Sequence, residues 1–205
     1  MIARTWPVDG VVGENGGFAF RLGHRETPME RIFWQGDSER LAARKQREIL
    51  AESILGAVPG AALASDQPYR ELDLAIDYCE DVAPLSPASV DDIVSHFVEA
   101  GANVKVSSIH VNGWFGDWNK REMVFRIAKT WWDLDLGGPD AAVVVFIGDS
   151  PNDEPMFEAL PISIAVAGFA QWAKRVTHLP KYITQADQGA GFIELARSLL
   201  RAKPQ

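Results

Sequence analysis

Two carboxylates four residues apart, Asp149 and Asp153, follow an apolar run, Ala142-Val-Val-Val-Phe-Ile147, that stops at Gly148. A run of this kind reads as a strand buried on both faces of a parallel sheet. Groups just past the carboxyl end of such a strand lie where open α/β sheets bind their ligands. Glycine lets the backbone turn sharply there, and two acids on the turn suit a hard divalent cation such as Mg²⁺. The same two acids would serve equally well as caps for a following helix. Pattern alone divides evenly between these accounts.

Lys120 is the second residue of interest. It falls in the first turn of a helix read over 117–132, behind Asp117 and Asn119, either of which can cap. A cation at that end opposes the helix dipole, at a cost of a few tenths of a kcal/mol or more. A bound anion would relieve it, because helix N-termini favour phosphate. The simpler account is a solvated lysine paired with Asp117 or with the neighbourhood of Asp133.

The elements that would position these residues fall into two styles. Residues 8–20 read as strand, turn and strand around Glu14-Asn-Gly-Gly17, and 31–35 as a short strand. A charged helix is expected over 38–55, ended by Gly56. Leu72 to Tyr78 alternates like a half-exposed strand, 89–100 reads as a helix closed by Gly101, and 104–114 as one further alternating strand. Beyond 117 the pattern becomes helix, strand 142–147, helix 153–160, strand 162–166, a short helix near 170–176, strand 182–184 and helix 191–200. Such β/α alternation signals a parallel sheet with crossover helices. The fold class expected is α/β: a partial Rossmann-like parallel-sheet core with an inserted α+β cap. Core segments are placed at 1–20 and 115–205, and the cap at 21–114.

Lys120 followed, one helix and one strand later, by Gly148-Asp149-Ser150-Pro-Asn152-Asp153 resembles motifs three and four of the haloacid dehalogenase superfamily of Mg²⁺-dependent phosphatases. The chain is similar to the type-IIB, or Cof-like, branch, which includes sucrose-phosphate and mannosyl-3-phosphoglycerate phosphatases. Residues 8–17 look like the segment leading into that branch's cap, and Gly189-Ala-Gly-Phe192 like the start of its C-terminal helix. The resemblance implies that Asp149 binds Mg²⁺ and that Asp153 binds it or orients its water. It implies that Asn152 contacts phosphate or holds the loop, and that Lys120 bridges the phosphoryl oxygens. Phosphoryl transfer needs in-line positioning and neutralised equatorial oxygens, which a metal and a lysine supply.

The family attacks phosphate with the first aspartate of Asp-x-Asp-Gly-Thr, and no such string occurs in these 205 residues. The nearest string, Asp133-Leu-Asp135-Leu-Gly-Gly138, follows a helix and reads as a polar loop. An aspartyl-phosphate route needs its nucleophile. The expectation is a chain with little turnover by itself and an incomplete core sheet, whose open edge suits pairing in a homo-oligomer. The alternative is a non-catalytic sugar-phosphate-binding or interaction module.

Caps of this branch read the leaving group. Arg70 and His110 are the candidate substrate-binding residues here, with Asp73, Asp77, Asn112 and Trp114 beside them. Arg70 and His110 would hold a second anionic group or sugar hydroxyls. An ordinary Arg70–Asp73 surface pair and a sheet histidine are the plain readings. Of the tryptophans, Trp131 and Trp132 are placed on the buried face of their helix.

Bulk properties narrow the class. Net charge is −8, which argues against nucleic acid and anionic membranes as partners but leaves room for a local basic pocket for phosphate; the resemblance implies a small phosphorylated metabolite as the partner. The one cysteine, Cys79, excludes an internal disulfide framework and reads as a small buried residue of a strand. No apolar run approaches a membrane span and no signal-peptide pattern opens the sequence, so a cytoplasmic location is expected.

Overall fold

A computed structural model describes residues 1–23 and 28–202. The chain divides into two compact units, Met1–Met123 and Val124–Gln205.

The first unit opens with a single helical turn, α1 (Ile2–Thr5), and a three-stranded antiparallel sheet of β1 (Val11–Gly13), β2 (Phe18–Arg21) and β3 (Glu30–Phe33), in that order. The Asn-Gly signal marks the turn correctly. Glu14, Asn15 and Gly16 all have positive φ, at 46°, 55° and 103°. Gly16 is needed for close approach as well, because a Cβ there would lie 2.2 Å from the carbonyl oxygen of Asn119.

Helix α2 (Asp37–Ala57) follows, begun by a Gly36 N–H donated to the Glu39 carboxylate at 2.9 Å. Gly56 does not end it; the helix continues to Ala57, and a Cβ on Gly56 would meet nothing. Then come β4 (Ala62–Leu63), β5 (Asp73–Asp77), α3 (Pro87–Glu99), β6 (Asn103–Val106) and β7 (His110–Trp114). Ser86 caps α3 through its Oγ, and Gly101 closes it at φ +75°. The four strands form one antiparallel sheet in the order β4-β5-β7-β6.

Two readings of this sheet are corrected. Residues 104–114 are two strands, because Ser107 reverses the chain: its Oγ accepts the His110 N–H at 2.9 Å and its N–H donates to the His110 carbonyl at 2.8 Å. Strand β5 is buried along its whole length, not half-exposed. Its alternation is real, since Leu74 and Ile76 join Leu50, Ile54, Ile93, Phe97 and Val111 under α2 and α3. Its other face, Asp73 and Asp77, is buried by polar partners described below.

The second unit holds most of α4 (Lys120–Trp132), then β8 (Val145–Gly148), α5 (Glu154–Ala159), β9 (Ile162–Ala165), β10 (Tyr182–Ile183) and α6 (Gln188–Ala202). The strands make a parallel sheet in the order β10-β9-β8. Pro155 sits in the first turn of α5, where it removes no internal hydrogen bond. The apolar run is only half strand. Residues 139–143 form a 3₁₀ turn that leaves Val143 73% exposed, and β8 itself is half-buried. A parallel strand is buried on both faces only when the sheet continues past it. Among the described residues, β8 pairs with β9 alone. Met123, Ile127, Ala128 and Trp131 form the buried face of α4, whereas Trp132 is 44% exposed and not in the core. No helix among the described residues is long and apolar enough to cross a membrane. The chain is mixed α/β, a parallel-sheet unit joined to an antiparallel α+β unit.

Candidate functional site

Asp149, Asn152 and Asp153 share one loop at the carboxyl end of β8. Asp149 is exposed, while Asp153 is only 3% exposed. The buried carboxylate folds back on the loop: Asp153 Oδ2 accepts the N–H of Asp149 at 2.9 Å and of Ser150 at 3.3 Å. The Ser150 hydroxyl donates to Asn152 Oδ1 at 2.7 Å. Gly148 is required by this arrangement, since a Cβ would lie 2.4 Å from Asp153 Oδ2. Asp153 shapes the loop, and Asp149 is presented at its surface.

Among the described residues, no group of three or more His, Cys, Asp or Glu side chains is arranged to hold a metal. Mg²⁺ does not ask for one. It keeps several waters and binds through one or two carboxylates plus substrate phosphate oxygens. One presented carboxylate beside one fixed carboxylate fits that mode.

Lys120 is the first residue of α4 and belongs to the first unit. Asn119 is the cap, its Oδ1 accepting the Glu122 N–H at 3.0 Å. Asp117 instead accepts the Trp34 indole N–H at 2.9 Å, so it does not cap.

Within the first unit, the candidate cap residues converge on a polar cavity of about 500 Å³ on the sheet face away from α2 and α3. Arg70, Asp73, His110 and Asn112 all line it. Arg70 is no surface residue with spare donors. Its Nε and Nη2 donate to the two Asp66 oxygens at 2.8 and 3.0 Å, and Nη1 reaches Asp73 Oδ1 at 3.0 Å and Asn112 Oδ1 at 3.4 Å. Burial alone would lower the Arg70 pKa; Asp66 and Asp73 outweigh it and raise it. Asp73 is 1% exposed, and burial pushes its carboxyl up, with Arg70 offsetting part of the effect. His110 Nε2 lies 2.8 Å from Glu80 Oε2, at an angle that is not that of a directed hydrogen bond.

Two candidates have other roles. Asp77 accepts the N–H groups of Cys79, Glu80 and Asp81 and so ties the turn after β5; burial would raise its pKa, but these donors and His110 hold it below the usual value. Trp114 packs in a buried cluster with Leu72 and Trp118 and donates its indole N–H to the Trp118 carbonyl at 3.2 Å. Cys79 lies in the turn after β5, half-buried, and is not a strand residue.

Sequence reasoning missed Glu14 and Asn15, which also line the cavity. Asn15 Nδ2 donates to Asp73 Oδ2 at 3.4 Å. In the sequence these two residues carry only a turn signal, so nothing marked them as neighbours of residue 73. With Glu14, Asp66, Asp73 and Glu80 against one arginine and one histidine, the cavity is rich in acceptors. It suits hydroxyl donors better than a second anion.

No protein-family model matches the sequence, and no curated protein sequence does. Solved structures do match. Protein 0175 of Thermoplasma acidophilum is 18% identical at a TM-score of 0.65, over 97% of this chain and 76% of its own. A Synechocystis sucrose-phosphatase, solved with sucrose and phosphate, is 14% identical at a TM-score of 0.61, over 93% of this chain and 73% of its own. A trehalose-6-phosphate phosphatase related protein is 15% identical at a TM-score of 0.57, over 97% and 78%. The chain shares the fold of these structures, a sucrose-phosphatase and a trehalose-6-phosphate phosphatase related protein among them.

Proposed function

We propose that this chain carries the metal loop, phosphate-binding lysine and leaving-group pocket of a Mg²⁺-dependent phosphatase acting on a small phosphorylated metabolite with a hydroxyl-rich, sugar-like leaving group. The observation that carries the reading is Asp149, presented by a loop that Asp153 holds rigid at the end of a parallel strand, in a fold shared with a sucrose-phosphatase. Bound Mg²⁺ would neutralise phosphoryl oxygens. Asp149 would hold it, and Asp153 would keep the Asp149 backbone in place. The Lys120 ammonium, at the N-terminus of α4, would neutralise a further phosphoryl oxygen, where the helix dipole already favours an anion. Asn112, Asp73 and His110 would accept from and donate to leaving-group hydroxyls.

The sequence contains no Asp-x-Asp-Gly-Thr string, and this favours a second reading, a binding module that recognises the sugar phosphate without hydrolysing it. One experiment separates the two: glucose 6-phosphate is titrated with and without Mg²⁺, and phosphate release is followed in the same samples. Mg²⁺-dependent binding, lost in Asp149→Ala and in Lys120→Ala, supports the roles given to these two residues. Release of phosphate assigns catalysis to this chain, and binding without release assigns the module. Binding that ignores Mg²⁺ and both substitutions removes both roles.

A further inference from the structure

On the first unit, a groove of about 710 Å³ runs between α2 and the segment that joins β4 to β5. Three arginines of α2, Arg40, Arg44 and Arg47, line it at helical spacing, and Arg70 closes its far wall. Their charges are arranged by depth. Arg47 is 6% exposed, and the Arg40 and Arg70 side chains are 22% and 18% exposed. The acids beside them, Asp37, Glu48 and Glu71, are 95%, 61% and 56% exposed. The charge of Arg40, Arg47 and Arg70 therefore lies at the floor, while Arg44, 70% exposed, stands among the acids at the rim, in a protein whose net charge is −8. A cleft with charge on a low-dielectric floor focuses its field on the opposite ion.

Two groups on the floor lack a counterpart. Arg47 donates to the carbonyls of Leu72 at 2.9 Å and Glu71 at 2.6 Å, and it pairs with no carboxylate among the described residues. A buried charge without an ion partner is costly. Arg40 Nε is buried with no acceptor among the described residues, although the rest of its guanidinium pairs with Asp37 and Glu71. Apolar walls from Leu74 and Pro68, and the ring of Tyr69 at 87% exposure, complete the groove.

We propose that this groove binds an organic phosphate with a planar apolar portion, at a site separate from the polar cavity. The phosphate meets Arg47, which has no carboxylate partner among the described residues, and Arg44 above it, guanidinium groups whose donor geometry matches an oxyanion. The planar part lies against Tyr69. Arg70 borders both the groove and the cavity, so filling one acts on the guanidinium that holds Asp73 in the other.

The test uses pyrophosphate and ADP, titrated calorimetrically in Mg²⁺-free buffer into the full chain carrying Lys120→Ala and Asp149→Ala, which silence the other phosphate locus. One saturable equivalent of each is expected, with ADP tighter. Arg44→Gln should weaken both at least threefold; this arginine is exposed and its pair with Glu48 lies at the surface, so the fold is kept. Glu48→Gln, which frees Arg44, should strengthen both. Tyr69→Ala should remove the advantage of ADP alone. Lys105→Gln, an exposed cation on β6, should change nothing. The absence of saturable binding, or equal losses in Arg44→Gln and Lys105→Gln, overturns the site.

Discussion

The Glu14 carboxylate and the Arg47 guanidinium hold one backbone segment by its opposite groups. Glu14 accepts the N–H groups of Glu71, Leu72 and Asp73, while Arg47 donates to the carbonyls of Glu71 and Leu72. The turn between β1 and β2 is thereby tied to the start of β5, where Asp73 enters the polar cavity.

Removing the carboxylate should loosen that tie. Glu14→Ala strands three backbone donors; burial and Asp73 already push the Glu14 pKa up, so part of the gain is offset in the native state. The expected loss is about 2 kcal/mol. Urea unfolding should show a lower midpoint with an unchanged slope. A midpoint equal to that of the parent would mean that water replaces the carboxylate at no cost.

Asp77 sets a pH dependence. Its folded pKa is depressed, so its contribution is present above the unfolded carboxylate value and lost as pH falls through the folded one. Glu14 and Asp73 have raised values and act with opposite sign: their contribution is full below the unfolded value and lost as pH rises through the folded one. Melting curves of the parent and Asp77→Asn should differ most at neutral pH and converge below about pH 4. A gap that stays constant from pH 7 to 3 would contradict the role of the three backbone donors.

The two loop acids should part company in stability. Asp153→Ala removes the acceptor of two loop N–H groups from a buried position and should lower the melting temperature of the second unit by a few degrees, corresponding to about 1–3 kcal/mol. Asp149→Ala, at an exposed position, should leave it within about 0.5 kcal/mol of the parent. Equal losses would show that Asp149 is structural too.

What the sequence made legible follows from where each signal is written. The Gly148-to-Asp153 loop is local, so type and spacing sufficed. Asn15-Gly16 declares its turn within two residues, whereas the helix read from 89 starts at Pro87 behind the Ser86 cap. The apolar run 142–147 overstated its strand because apolarity does not say whether a neighbouring strand lies on each side. Ser107 hid a chain reversal inside an alternating pattern, since its hydroxyl does the work that glycine usually does. Asp77 and Trp114 sit on the face expected of ligand readers, yet their partners are backbone groups two to four residues away. Glu14 could not be placed in the cavity, because its partners lie 57 to 59 positions along the chain and no periodicity connects them.

The account rests on Asp149 as a metal ligand, and Mg²⁺ titration of the parent and of Asp149→Ala tests it most directly, with Mn²⁺ as the paramagnetic probe of the same site. One saturable ion per chain is expected in the parent, displaced by Mg²⁺, and lost in Asp149→Ala at an unchanged melting temperature. Equal binding by both proteins, or none by either, would contradict it.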